Sequence, residues 1–245
     1  VPEQKFTEFE FIVIQSEDEL GTAVLLVLAW MAASDGSIDE KETRQLSEIS
    51  AASKHGHEIE TLLRLVKNHD IKALQLACEI VARHFRGEKA WLFLEMAIGM
   101  SIADGYLLPI ENHILRFLAD LLAVDNAGLN SLFIEVTGRS IPDPSDISSA
   151  NYWRDREQAK SKSNQSSGRE ERARSTPRTD RAAYAYAVLG LEFGASKEDI
   201  QKAYRRLAQV HHPDRFSSLG EESMAAATVT FQRINEAYEH LVKHA

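Results

Sequence analysis

Two polar constellations in this 245-residue chain have residue types and spacings suited to chemistry. The first is His212-Pro213-Asp214, preceded by the basic residues Lys202, Arg205 and Arg206 and followed by Arg215. Proline fixes the backbone between an imidazole that can donate or accept and a carboxylate that accepts. Such a string suits a rigid docking loop. The second constellation is a pair of acidic turns, Asp35-Gly36 with Glu42 and Asp104-Gly105 with Glu111. Their four carboxylates offer hard oxygen ligands for a divalent cation, although the spacing is not that of an EF-hand. Helix capping is the competing explanation. Gly36 and Gly105 suit left-handed helix ends, Asp39 with Glu42 forms a capping box, and Pro109 fits a first helical position. Capping does not call for Asp35 or Asp104, because the C-terminal end of a helix disfavours negative charge.

Charge and composition narrow the classes. Residues 1–150 hold 12 Lys/Arg against 24 Asp/Glu, a balance of −12; residues 151–179 carry +4 and residues 180–245 carry −1. The acidic N-terminal part argues against nucleic-acid binding, which needs a basic footprint. The single cysteine, Cys78, excludes an internal disulfide and a CxxC zinc site, and its apolar helical setting reads as core. The longest apolar run, Ala23 to Ala33, is too short for the roughly 20 residues that span a bilayer. A cytoplasmic protein is expected, membrane-associated if an N-terminal anchor has been removed. There is no Gly-rich phosphate loop, nucleophile elbow or His/Cys metal cluster, so no enzyme is expected and no cofactor is required; a divalent metal ion in the acidic turns is the one candidate ligand.

The elements that must position these residues are helical. Phe6 to Ile14 alternates loosely and reads as a short extended lead-in within residues 1–18. Helices are expected over Glu19–Ala33, Glu40–Ser53, Glu58–Asn68, Ile71–Phe85, Lys89–Ala103, Pro109–Ala123 and Ala127–Thr137. Together they form a seven-helix bundle over residues 19–137. The two acidic turns sit in similar contexts, Met31 to Glu42 and Met100 to Glu111, which points to a duplicated helical pair. Over residues 138–180 the apolar periodicity stops at Ile141-Pro142-Asp143-Pro144 and gives way to Ser, Arg, Lys and Gln. Such composition reads as a flexible, solvated basic linker.

Residues 181–245 form the last unit. A short helix over Tyr184–Leu189 precedes one that Ser196 caps. At 100° per residue, Ile200, Tyr204, Leu207 and His211 share a buried stripe, while Lys202, Arg205, Arg206 and Gln209 share the opposite, solvent-facing one. Pro213 ends that helix. Met224, Ala227, Phe231, Ile234, Tyr238 and Leu241 then recur at spacings of three and four from Glu221 to Lys243, the seam of an antiparallel hairpin whose loop is Pro213–Leu219. His211 is expected to be packed rather than pH-sensing, and Tyr204 is open between core packing and partner contact.

The paired Asp-Gly turns in an acidic helical domain resemble the TerB-like (tellurite-resistance B) domain over roughly Leu20 to Val136. The segments Tyr186-Ala187-Val188-Leu189-Gly190-Leu191, Ala203-Tyr204-Arg205-Arg206-Leu207-Ala208, His212-Pro213-Asp214-Arg215 and Phe231-Gln232-Arg233-Ile234-Asn235-Glu236-Ala237-Tyr238 resemble the J domain of DnaJ-type proteins, in that family's order and spacing. A TerB-like domain followed by a C-terminal J domain is the arrangement of the DjlA group. The resemblance implies an all-α co-chaperone that stimulates ATP hydrolysis by a heat-shock-70 (DnaK-type) chaperone. Lys202, Tyr204, Arg205, Arg206, His212, Pro213, Asp214 and Arg215 would form the docking surface. It also implies metal binding at Asp35, Glu42, Asp104 and Glu111, with the TerB-like domain targeting or sensing through a protein partner or client. The alternative is a metal- or stress-sensing adaptor whose J domain mainly tethers the chaperone. The sequence departs from the J-domain pattern at Gln201, where a basic residue is common, and at His211, where Tyr is common.

Overall fold

A computed structural model of the chain describes residues 6–35, 46, 47, 49, 51, 59–102, 105–146, 149, 150, 154 and 177–244. Among the described residues the chain is all-helical, as expected. In the N-terminal part run α1 (Glu8–Ser16), α2 (Glu19–Ala32), α3 (Ile59–Lys67), α4 (Ile71–His84), α5 (Glu88–Ser101), α6 (Pro109–Leu121) and α7 (Asn126–Thr137). In the C-terminal part run α8 (Pro177–Val188), α9 (Lys197–Val210), a 3-10 helix over Pro213–Leu219, and α10 (Glu221–His244). Of the helix expected over Glu40–Ser53, only residues 46, 47, 49 and 51 are described; they are helical, and Leu46 and Ile49 are buried. The remainder lies outside the described residues.

The lead-in is a helix, not an extended segment. Thr7 caps it: its side chain accepts from the Glu10 amide while the Glu10 carboxylate accepts from the Thr7 amide at 2.6 Å. This reciprocal box satisfies two amides that an open helix end leaves orphaned. Phe9 and Ile12, three residues apart, are the pair it buries, and α1 packs on α2 and α4. The apparent alternation of Phe9, Phe11 and Val13 is therefore coincidental: Phe11 is exposed.

Helix α2 is buried on almost every side, from Gly21 to Ala29, and forms the axis of the bundle. Helices α3 and α4 pack on one side of it, with Cys78 buried. Helix α5 joins the axis to α6 and α7. After α7 the chain stays on the bundle as far as Asp143. Ile141 is buried, its amide donates to Asn130 at 3.1 Å, and the Pro142 carbonyl accepts from Asn112 and Arg116, each at 2.9 Å. One buried side chain, Ile141, and backbone groups bonded to Asn112, Arg116 and Asn130 hold this proline-rich stretch. Among the described residues no helix is long and apolar enough to cross a membrane.

The C-terminal part has a core of its own between α8, α9 and α10, built on Leu189, Ile200, Ala203, Leu207, Ile234, Ala237 and Leu241. The apolar core of the N-terminal bundle also extends into it. Val210, Phe216, Leu219 and Ala225 to Ala227 are buried in the same cluster as α2 and α5. Helix α10 packs on α2 and α5, and the 3-10 helix packs on α5.

Candidate docking site at the hairpin tip

Helix α9 begins where Ser196 accepts the Asp199 amide at 3.1 Å, and it presents a buried stripe of Ile200, Ala203, Leu207 and Val210. Tyr204 belongs to the hairpin. Its ring stacks on Tyr238 with centroids 4.0 Å apart, and its hydroxyl donates to Asn235 at 3.0 Å. On the outer face, Lys202, Arg205 and Gln209 are exposed as expected. Arg206 is not. It reaches across to the N-terminal bundle, where Nη2 donates to the Thr137 carbonyl at 3.2 Å. A Cβ on Gly138 would overlap its guanidinium. Burial lowers the Arg206 pKa, and its buried Nε has no hydrogen-bond partner among the described residues.

His212 takes the extended conformation that a following proline demands (φ −65°, ψ 125°) and caps the 3-10 helix that Pro213 opens. Its Nδ1 accepts from the Asp214 amide at 3.4 Å, its ring meets Phe231 edge-on at 5.7 Å, and the Arg215 amide donates to the His212 carbonyl at 3.0 Å. The loop is thus rigid without being enclosed: the side chains of His212 and Asp214 are 51% and 89% exposed.

Arg215 turns the other way. Its guanidinium pairs in bidentate fashion with Glu95 of α5, Nη2 to Oε2 at 3.0 Å and Nη1 to Oε1, and Nη1 also donates to the Val210 carbonyl. Glu95 is buried, with its side chain 4% exposed. Burial pushes its carboxyl up to about 7 against the opposing pull of Arg215, while Glu135 adds a smaller push upward. Next to the loop, His211 lies under the same interface. It is 2% exposed, and its imidazole is held down to about 4 by burial and by the positive charge of Arg215. A Cβ on Gly99 would overlap its ring.

The structure therefore leaves Lys202 and Arg205 exposed along α9 and His212 and Asp214 exposed around a half-buried Pro213 at its tip, and it places Arg206 and Arg215 in the contact with the bundle. Sequence reasoning missed Glu95, Gly99 and Thr137. A signal was present for Glu95, the lone carboxylate in the apolar run Phe93 to Ile98.

The acidic turns are described only in part. Glu42 and Asp104 lie outside the described residues, as does the side chain of Asp35. Glu111 acts as a cap, accepting the Leu108 amide at 2.8 Å. Gly105 has φ +90° and faces Ala187 of α8, so a side chain there would be strained and would collide.

Two family models match this architecture: residues 21–132 match the tellurite resistance protein TerB and residues 184–245 match the DnaJ domain. A protein of Vibrio vulnificus (strain YJ016) named co-chaperone protein DjlA is 26% identical, over 94% of this chain and 79% of its own. The chain is a DjlA-like protein, a TerB domain followed by a J domain. A second DjlA, from Coxiella burnetii, is 28% identical over 89% of this chain and 74% of its own. Across the J domain alone, the chaperone protein DnaJ of Fusobacterium nucleatum subsp. nucleatum is 45% identical over 56 residues, 23% of this chain and 14% of its own. No solved structure matches the chain.

Proposed function

We propose that this DjlA-like chain is a co-chaperone that stimulates ATP hydrolysis by a heat-shock-70 (DnaK-type) partner through its J domain, with the TerB domain supplying the address or sensing the condition. The observation that carries the reading is the tip of the hairpin. His212 and Asp214 project into solvent from a proline-fixed loop, and Lys202 and Arg205 stand exposed on the helix that leads to it. The basic pair steers an acidic partner surface, Asp214 offers an acceptor to a partner cation, and His212 fixes the loop by accepting the Asp214 amide. The chain supplies a surface, and the bond that breaks belongs to the nucleotide of the partner. An ATP-dependent partner requires the J domain to face a compartment that supplies ATP, in line with the cytoplasmic placement expected above.

The wild-type chain is expected to accelerate single-turnover ATP hydrolysis by a DnaK-type chaperone. His212→Gln is expected to remove the acceleration with the helical circular dichroism signal unchanged. Absence of acceleration by the wild-type chain would replace this reading with that of a tether.

A further inference from the structure

The contact between the two domains is built with close tolerances. Three glycines of the TerB domain, Gly21, Gly99 and Gly105, and Gly138 just after α7 lie where a Cβ would overlap Glu222, His211, Ala187 and Arg206, in that order, of the J domain. Phe216 and Leu219, in the 3-10 helix that begins at Pro213, are buried in the TerB core. The contact holds the back of the His-Pro-Asp loop and leaves its front open. Val210, His211 and Phe216 are buried, whereas the side chains of His212 and Asp214 are 51% and 89% exposed. A partner can therefore reach the loop with the domains together.

Across this contact the buried Glu95 pairs with the partly exposed Arg215, and Arg215 is bonded directly to Asp214 in the chain. Such a pair contributes little net stability, because desolvation of the buried carboxylate offsets most of the attraction. A bidentate carboxylate–guanidinium pair does impose direction, since its two parallel bonds fix the plane and distance of both groups. A third bond from Arg215 to the Val210 carbonyl ties the end of α9 to the same guanidinium, so the chain is held on both sides of His212.

We propose that Glu95 is a positioning residue for the His-Pro-Asp loop, and that Arg215 anchors the loop to the TerB domain instead of contacting the chaperone. The inference rests on the co-chaperone reading for its effect on the partner, though not for its effect on the loop. The TerB domain thereby becomes part of the docking machinery: it presents the loop in one orientation while Lys202 and Arg205 supply the encounter.

The test uses the full chain with Glu95→Leu and Glu95→Gln. Arg215 is 36% exposed at its side chain, so losing Glu95 lets it swing to water rather than stranding a charge. Thermal stability is expected to stay at or above that of the wild type. The maximal stimulated ATPase rate is expected to fall about tenfold in Glu95→Leu and about threefold in Glu95→Gln, which keeps one acceptor. The half-saturating concentration, set by the untouched basic face, is expected to move by less than about twofold. A structural role alone would make the rate follow stability, and this split separates the two. Hydrogen exchange at the Asp214 and Arg215 amides provides the readout without a chaperone and is expected to quicken about tenfold in Glu95→Leu. Unchanged maximal rates with unchanged exchange would overturn the proposal. A higher maximal rate would also overturn it, since the TerB domain would then restrain the loop. Failure of the wild-type chain to stimulate any ATPase would overturn the co-chaperone reading, and the exchange measurement would still decide whether Glu95 positions the loop.

Discussion

Adjacent histidines close the α9 helix in different surroundings. His212 stands in solvent at the loop, whereas His211 is packed under the TerB domain and stays neutral down to about 4. An unfolded histidine takes up a proton near 6.5, so between those values the unfolded chain binds a proton that the folded chain refuses. The stability tied to neutral burial is complete above pH 6.5 and is lost as pH falls toward 4, by on the order of 3 kcal/mol. Glu95 works in the opposite sense. Its carboxyl is raised from 4.5 to about 7, so the folded chain binds the extra proton in that window and gains stability as pH falls through it. Between pH 6.5 and 4.5 the two offset each other. Removing the carboxylate with Glu95→Leu is therefore expected to make stability fall more steeply than in the wild type between pH 6.5 and 4.5. Urea midpoints of both chains at pH 6.5, 5.5 and 4.5 check this, and parallel slopes would contradict it.

At the scale of the element, most helices were legible because a buried stripe repeats every 3.6 residues, as Ile114, Leu115 and Leu118 do in α6. The failures have identifiable physical causes. In α1 the alternation of Phe9, Phe11 and Val13 masked a helix that the capping box from Thr7 to Glu10 starts. At residues 141–143 backbone carbonyls and amides hold the chain beside the single buried Ile141, and side-chain composition does not report them. Arg206 lies on the solvent side when α9 is considered alone, and only the neighbouring end of α7 covers its side chain, leaving Lys202, Arg205 and Gln209 exposed. The loop residues, by contrast, were legible because proline geometry is local. The acidic turns stand between these cases, since Glu111 caps α6 and a carboxylate oxygen can cap and coordinate together. Weak binding of a divalent cation to Asp35, Glu42, Asp104 and Glu111 is expected, and Asp104→Ala is expected to lose it. Titration calorimetry with calcium, magnesium, manganese and zinc decides the point, and absence of heat with all four would leave capping as the role of these turns.

At the scale of the whole molecule, the consequence of the shared core is thermodynamic. Two domains joined only through a linker unfold as two units, because few contacts cross between them. Here the hydrophobic cluster of the TerB domain includes Phe216, Leu219 and the Ala225 to Ala227 segment of α10, while the hairpin keeps a second, smaller core around Leu207 and Ile234. Phe216 is fully buried. Its surface is covered by the combination of the 3-10 helix, α10 and the bundle, so opening the contact exposes an aromatic side chain, a buried carboxylate and the edge of α10 at once. That cost couples the two units. The chain is expected to unfold in one calorimetric transition, with equal calorimetric and van't Hoff enthalpies. Phe216→Ala removes the largest apolar group of the contact, at about 3–5 kcal/mol if the site does not collapse. It is expected to split the trace, with the hairpin melting below the bundle. Two transitions already present in the wild-type chain would show that the shared core is too weak to couple the domains. One transition in both chains would show instead that the coupling runs through α10 and α2, where Glu222 meets Gly21, rather than through the loop.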